Sequence, residues 1–142
     1  MRRIVCIGNN YAQYKEADAE GVITPGNLMQ RTGTGGVVRH STASQKVQPL
    51  RVAVENDIFG KGIDDNYAIG DRVIYMDLDT GCEFIGLVAA GKPAIAIQDL
   101  VESDGAGGVQ KTVTLANAIG RATEALDQSA AGSAARLRVV VL

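Results

Sequence analysis

The chain has 142 residues, 46% of them hydrophobic and 21% charged, with 14 basic against 16 acidic side chains for a formal charge of -2. That size and balance suit one folded domain with its own core and argue against disorder, while the near-neutral charge supplies no basic field to hold a phosphate backbone, so nucleic acid is not an expected partner. No segment has the length of an apolar membrane span, and Met1-Arg2-Arg3-Ile4-Val5-Cys6-Ile7 carries an apolar run of only about four residues, too short for a signal-peptide core, which points to synthesis in a cytoplasm.

In chain order, residues 1 to 20 read as an extended N-terminal arm. After the Ile4-Val5-Cys6-Ile7 patch the segment is polar and without a steady period, with Tyr11 and Tyr14 among Asn9, Asn10, Gln13, Lys15, Glu16, Asp18 and Glu20. Unpaired backbone in the apolar patch is a template for adding a strand to another protein; a first strand of the domain's own sheet is the alternative. From Gly21 to Leu142 the chain reads as one β domain of short runs broken by turn signals. Val22-Ile23-Thr24 meets Pro25-Gly26, a type II turn pair, and Thr32-Gly33-Thr34-Gly35-Gly36 is a hairpin tip between Leu28–Arg31 and Val37–His40. In Leu50 to Glu55, Leu50, Val52 and Val54 alternate with Arg51, Ala53 and Glu55, which predicts one core face and one wet face.

The most apolar stretch is Arg72 to Leu78 and Glu83 to Ala89, joined by Asp79-Thr80-Gly81; a hairpin is expected there, its first strand covered on both faces. Thr112–Leu115, Ile119–Leu126 and Arg136–Leu142 complete the expected strands. Helix is expected to be scarce, because Gly120 and Gly132 interrupt the Ala-rich pieces near Ala116 and Ala130. Seventeen glycines, three prolines, no Trp and only two Phe fit many tight turns around small aliphatic side chains. The fold class is therefore all-β, a small barrel or sandwich of short strands.

No catalytic constellation emerges, so an enzyme is not expected. His40, the single histidine, follows a strand with no nucleophile elbow elsewhere in the chain. Asp77, Asp79 and Glu83 surround a glycine turn, but their spacing is not that of a calcium loop. Asp64-Asp65 beside Gly60-Lys61-Gly62 lacks the Lys-Ser/Thr ending and following helix of a phosphate loop. Cys6 and Cys82 have neither metal nor redox spacing and read as reduced thiols, and acidic neighbours disfavour a Cys82 thiolate. Neither a metal nor a cofactor is expected. Gly91-Lys92-Pro93 resembles the turn entering a strand in lipoyl and biotinyl carrier domains, although Lys92 lacks their flanking residues; a carrier or accessory domain is the rival reading.

The run Gly21–Leu28, the block Val54-Glu55-Asn56-Asp57-Ile58-Phe59-Gly60-Lys61-Gly62-Ile63-Asp64-Asp65-Asn66-Tyr67-Ala68-Ile69-Gly70-Asp71-Arg72-Val73 and the ending Ala118–Leu142 together resemble the head decoration, or cement, proteins of tailed bacteriophages. The resemblance covers nearly everything after residue 20, and its most specific element is Gly60–Asp65 followed by Tyr67 and Gly70-Asp71. It implies a tulip- or barrel-type β domain on the outer surface of the virion, binding the major capsid protein and itself, as a homotrimer or a dimer, and stabilising the head without catalysis. It also implies an arm that contacts the capsid, for which Arg2, Arg3, Ile4, Val5, Ile7, Tyr11 and Tyr14 are the candidates. Phe59, Ile63, Asp64, Asp65 and Tyr67 are the candidate oligomer contacts, since aromatic anchors favour interfaces. Another virion module of tail or fibre is the second alternative, because fold does not fix position.

Overall fold

The structure, a computed structural model, describes residues 5–7 and 14–142. They form β1 (Cys6–Ile7), β2 (Tyr14–Asp18), β3 (Leu28–Arg31), β4 (Val37–Arg39), β5 (Leu50–Ala53), β6 (Arg72–Leu78), β7 (Glu83–Val88), β8 (Leu100–Ser103), β9 (Val109–Lys111), β10 (Gly120–Ala122) and β11 (Ala135–Val141). The helical content of the described residues is two 3-10 turns, Asp57–Phe59 and Leu115–Asn117. The all-β expectation holds, and the architecture is a sandwich of antiparallel sheets rather than a closed barrel. One sheet has six strands in the order β1-β7-β11-β10-β8-β9 and the other five in the order β2-β6-β5-β3-β4.

The main core lies between the sheets. Leu28, Val52, Val54, Ile74, Met76 and Leu78 of one layer meet Phe84, Val88, Val101, Leu137 and Val139 of the other, and each large apolar side chain so buried is worth roughly 1.5–3 kcal/mol. The five-stranded sheet also curls on itself. Ala19, just past β2, bridges Val37 at the opposite edge, and the Glu20 N–H donates to the Val37 carbonyl at 2.9 Å. The concave side encloses a second core that includes Ala17, Ile23, Met29, Ala53, Val73 and Tyr75. This enclosure corrects the expectation of a wet face on β5. Ala53 is fully buried on that side, and Glu55 is buried as well, accepting from the Val5 N–H at 3.4 Å.

Three other expectations change. β6 and β7 are not a hairpin, because β6 pairs with β2 and β5 while β7 pairs with β1 and β11. The Asp79–Cys82 turn instead arches from one sheet to the other, which sets Ile74 and Met76 face to face with Phe84 and Val88 and buries all four; a hairpin would have lined them up on one surface. The strand expected at Thr112–Leu115 falls earlier, at β9, with a 3-10 turn after it, and Ile119–Leu126 shortens to β10. The described part of the N-terminal segment is built into the domain: Val5 is fully buried, β1 pairs with β7, and β2 lies along β6 in the register Tyr14↔Met76 to Asp18↔Arg72. Of the two readings open for that segment, strands of the domain's own sheets describe Cys6–Ile7 and Tyr14–Asp18.

The Pro25-Gly26 turn forms as expected, with the Asn27 N–H donating to the Thr24 carbonyl at 2.9 Å and Gly26 at φ +96°. Glycine is required twice over here, since a Cβ would also stand 2.6 Å from the Ile85 carbonyl oxygen.

Phe84 is the largest aliphatic-facing ring in the main core and is fully buried. Phe84→Ala is expected to lower the unfolding free energy by about 3–5 kcal/mol, read as a lower denaturant midpoint at unchanged slope.

Candidate functional site

The segment between β5 and β6 is long, yet it is pinned almost residue by residue. The Asn56 carbonyl accepts from the N–H groups of Phe59 at 3.2 Å and Lys61 at 3.0 Å, closing the first 3-10 turn. Asp65 folds back on Gly62, its Oδ2 accepting the Gly62 N–H at 2.6 Å, and Asp71 does the same for Ala68 at 2.8 Å, each carboxylate reaching three residues back to close a turn. Tyr67 exchanges two backbone hydrogen bonds with Ile23, at 2.8 and 3.1 Å, and its hydroxyl donates to the Val54 carbonyl at 2.7 Å. From β11, Arg136 donates through Nη1 to the Pro25 carbonyl at 3.0 Å, and through Nη2 to the Ile63 carbonyl and to Asp64 Oδ1, the last at 3.0 Å. One guanidinium thus ties the Gly26 turn to the β5–β6 loop, using the forked donor geometry that lysine lacks.

The expected oligomer contacts separate on this scaffold. Phe59 stands 77% exposed at the tip of the 3-10 turn. Asp64 is also at the surface, held by Arg136, and Asp65 is exposed but shapes the loop. Ile63 is half-buried against the main core, and Tyr67, only 4% exposed, belongs to the second core. Tyr67 therefore packs the domain's interior, because a side chain buried within its own chain has little surface left for a second one. Of the expected capsid contacts, Arg2, Arg3, Ile4 and Tyr11 lie outside the described residues. Val5 is core, Ile7 pairs with Glu83, and Tyr14 is half-exposed at the start of the edge strand β2.

Around Phe59 the loop borders a cleft of about 270 Å³ whose walls include Asn56, Lys61, Asp65, Tyr67 and Arg72. Sequence reasoning picked out Phe59, Asp65 and Tyr67 but not Asn56 or Arg72, whose positions depend on a loop closure that leaves no periodic signal. Arg72 is oriented by Glu16 and Asp18 of β2, at 3.4 and 3.1 Å, and these carboxylates hold its guanidinium above the usual arginine range.

The residues weighed for catalysis have structural surroundings. His40 is buried, with Nδ1 3.1 Å from Ser103 Oγ; that hydroxyl donates to the Thr42 carbonyl at 2.9 Å and accepts from the Gly105 N–H at 3.2 Å. Ser103 is wholly inaccessible, so the pair fastens the segment after β4 onto β8 and offers a substrate no approach. Nearby Glu102 is buried too. Burial alone would raise its carboxyl, but hydrogen bonds from Ser44, Thr112, Gln110 and Asn117 outweigh it and bring the group below the usual range. Asp77 is paired with Lys15 at 2.5 Å and Arg51 at 3.0 Å. Lys92 is half-buried and donates to Gln110 Oε1 at 2.9 Å, unlike a carrier lysine displayed at a hairpin tip. Cys82 is buried beside the main core. Among the described residues, no group of three or more His, Cys, Asp or Glu side chains converges as metal ligands.

Two predictions follow from these contacts. Arg136→Lys should leave the global midpoint nearly unchanged while speeding amide hydrogen exchange at Ile63, Asp64 and Asp65, because only the fork that fixes the loop is lost. His40 titrates below its ordinary value because burial disfavours the imidazolium, against a weaker opposing hydrogen bond to the Thr42 backbone. The unfolded chain, with an ordinary histidine near pH 6.5, then binds the proton more readily than the folded one. Stability should be complete above about pH 6.5 and fall as the pH drops below it. His40→Gln should flatten the unfolding midpoint between about pH 6.5 and 5, a range above the ordinary carboxylate values; an unchanged slope would assign that dependence to another group.

No family model matches the chain, and no curated protein matches it in sequence. Among solved structures its fold is similar to that of the head fiber gp8.5 N base in bacteriophage phi29, with a TM-score of 0.60 and 12% sequence identity over 92% of this chain and 94% of that one. At that identity the likeness is one of fold.

Proposed function

We propose that this chain is a non-catalytic virion protein of a bacteriophage, a decoration protein that sits on the outer surface of the assembled capsid and stabilises it. The observation that carries the reading is the fold shared, nearly end to end, with a phage head-fiber base. The resemblance of Gly60–Asp71 to head decoration proteins points to the same particle from the sequence side. The buried surroundings of His40, Ser103 and Cys82 add support, since the side chains best suited to nucleophilic or acid-base chemistry are committed to holding the domain together.

In this role the major capsid protein is the partner, and the N-terminal segment, with Arg2, Arg3, Tyr11 and Tyr14, makes the contact. The domain self-associates as a trimer or dimer through exposed surface that includes Asp64. A small contact repeated at many equivalent sites suffices to brace a shell under internal pressure, because the assembled surface multiplies it. A second reading, a base that carries a fibre, is favoured by the structural neighbour being the N base of a head fiber.

Co-sedimentation with expanded, undecorated heads tests the proposal. Binding is expected to saturate at a fixed ratio to capsid subunits, and Arg2→Ala/Arg3→Ala/Tyr11→Ala is expected to weaken it about tenfold or more while leaving the circular dichroism spectrum unchanged. A folded protein that stays in the supernatant at every concentration overturns the capsid assignment. Intact mass separates the carrier alternative, which requires an adduct on Lys92.

A further inference from the structure

The geometry of the β5–β6 loop points to a saccharide-binding site: we propose that the cleft beside Phe59 takes a single pyranose ring. The inference does not depend on where the protein sits in a particle.

A pyranose presents an apolar C–H face, which stacks on an aromatic ring, and a girdle of hydroxyls that both donate and accept. The cleft offers each counterpart. Phe59 supplies an exposed ring at the entrance, and the inner wall includes Tyr67, whose hydroxyl is already committed to the Val54 carbonyl. Around them stand acceptors on Asp65 and Asp71 and donors on Lys61 and Arg72. Asn56 completes the wall, its Oδ1 buried out of reach of solvent.

The mixture of signs excludes other ligand classes. A phosphate or nucleotide wants donors alone and would be repelled by the two carboxylates. The volume of about 270 Å³ lies below the roughly 300–1,000 Å³ of drug-sized pockets and suits one ring.

The site is also preformed. Asp65 and Asp71 each have Oδ2 fixed by a loop N–H, and Arg72 is aimed by Glu16 and Asp18. Little side-chain freedom is left to lose on binding, which favours measurable affinity for a small ligand. One weakly held ring corresponds to a dissociation constant in the millimolar range.

The test is a titration of the isotope-labelled full chain, followed by amide chemical shifts, with methyl α-D-glucopyranoside, methyl α-D-mannopyranoside, N-acetyl-D-glucosamine and N-acetyl-D-galactosamine through the millimolar range. A parallel arm with dextran distinguishes a ring within a chain from a free monosaccharide. The expected result is saturable shifts confined to residues 56–72 with at least one probe. Phe59→Ala should lose about tenfold in affinity, and Phe59→Tyr should retain it. Phe59 is so exposed that neither substitution threatens the fold. The proposal is overturned if no probe moves these amides, or if Phe59→Ala binds as the parent does. It is equally overturned if Phe59→Ala changes only the sedimentation of the oligomer, which would make the ring a contact between copies.

Discussion

The structure depends on one strand having no wet side. β6 sends Ile74, Met76 and Leu78 into the layer between the sheets and Val73 and Tyr75 into the smaller core within the curled five-stranded sheet. Because both faces must be covered, the six-stranded sheet has to lie on one side and the edges of the curled sheet have to meet on the other. Tyr75 shows the constraint at its tightest, since its ring is buried while its hydroxyl accepts a 3.0 Å hydrogen bond from Arg31 Nη1, sparing a polar group the cost of isolation. The arch at Asp79–Cys82 and the bridge from Ala19 to Val37 both follow from this demand.

The candidate site inherits its rigidity from that arrangement. The β5–β6 loop crosses the open end of the smaller core, so Tyr67 and Ile23 lock it from below while Arg136 locks it from the side. Phe59 can then stand in solvent without the loop being loose. Charges near the loop serve geometry first: Asp65 and Asp71 turn the backbone, and Arg72 fastens β2 to β6.

Much of this was legible in the residues. The Pro25-Gly26 turn, the Thr32–Gly36 hairpin tip, the two-sided burial of β6 and the closing strand β11 follow from turn chemistry and alternation, which act over a few residues. What escaped were features set by distant segments. β2 hides because its inward positions are Ala17 and, just beyond, Ala19, too small to write an apolar period among the charged Lys15, Glu16, Asp18 and Glu20. β6 and β7 read as a hairpin because local sequence reports a turn but not whether the second strand lies beside the first or across from it. At the candidate site, the Gly60–Asp71 block stood out as a motif. The burial of Tyr67 and the recruitment of Arg136 and Arg72 became visible only once the loop had closed on elements far away in the chain.

The position of β11 reaches beyond the folded state. It comes last among the described strands and is also interior to its sheet, zipped between β7 and β10 with Leu137 and Val139 in the main core. During synthesis the six-stranded sheet has a gap at its centre until Ala135–Val141 leave the ribosomal exit tunnel. At elongation rates of about 5–20 residues per second, the chain spends several seconds with β7 and β10 exposed as unpaired edges. Closure of the six-stranded sheet is thereby deferred until Ala135–Val141 are free to pair, and a nascent chain arrested before them presents two open strands to its neighbours.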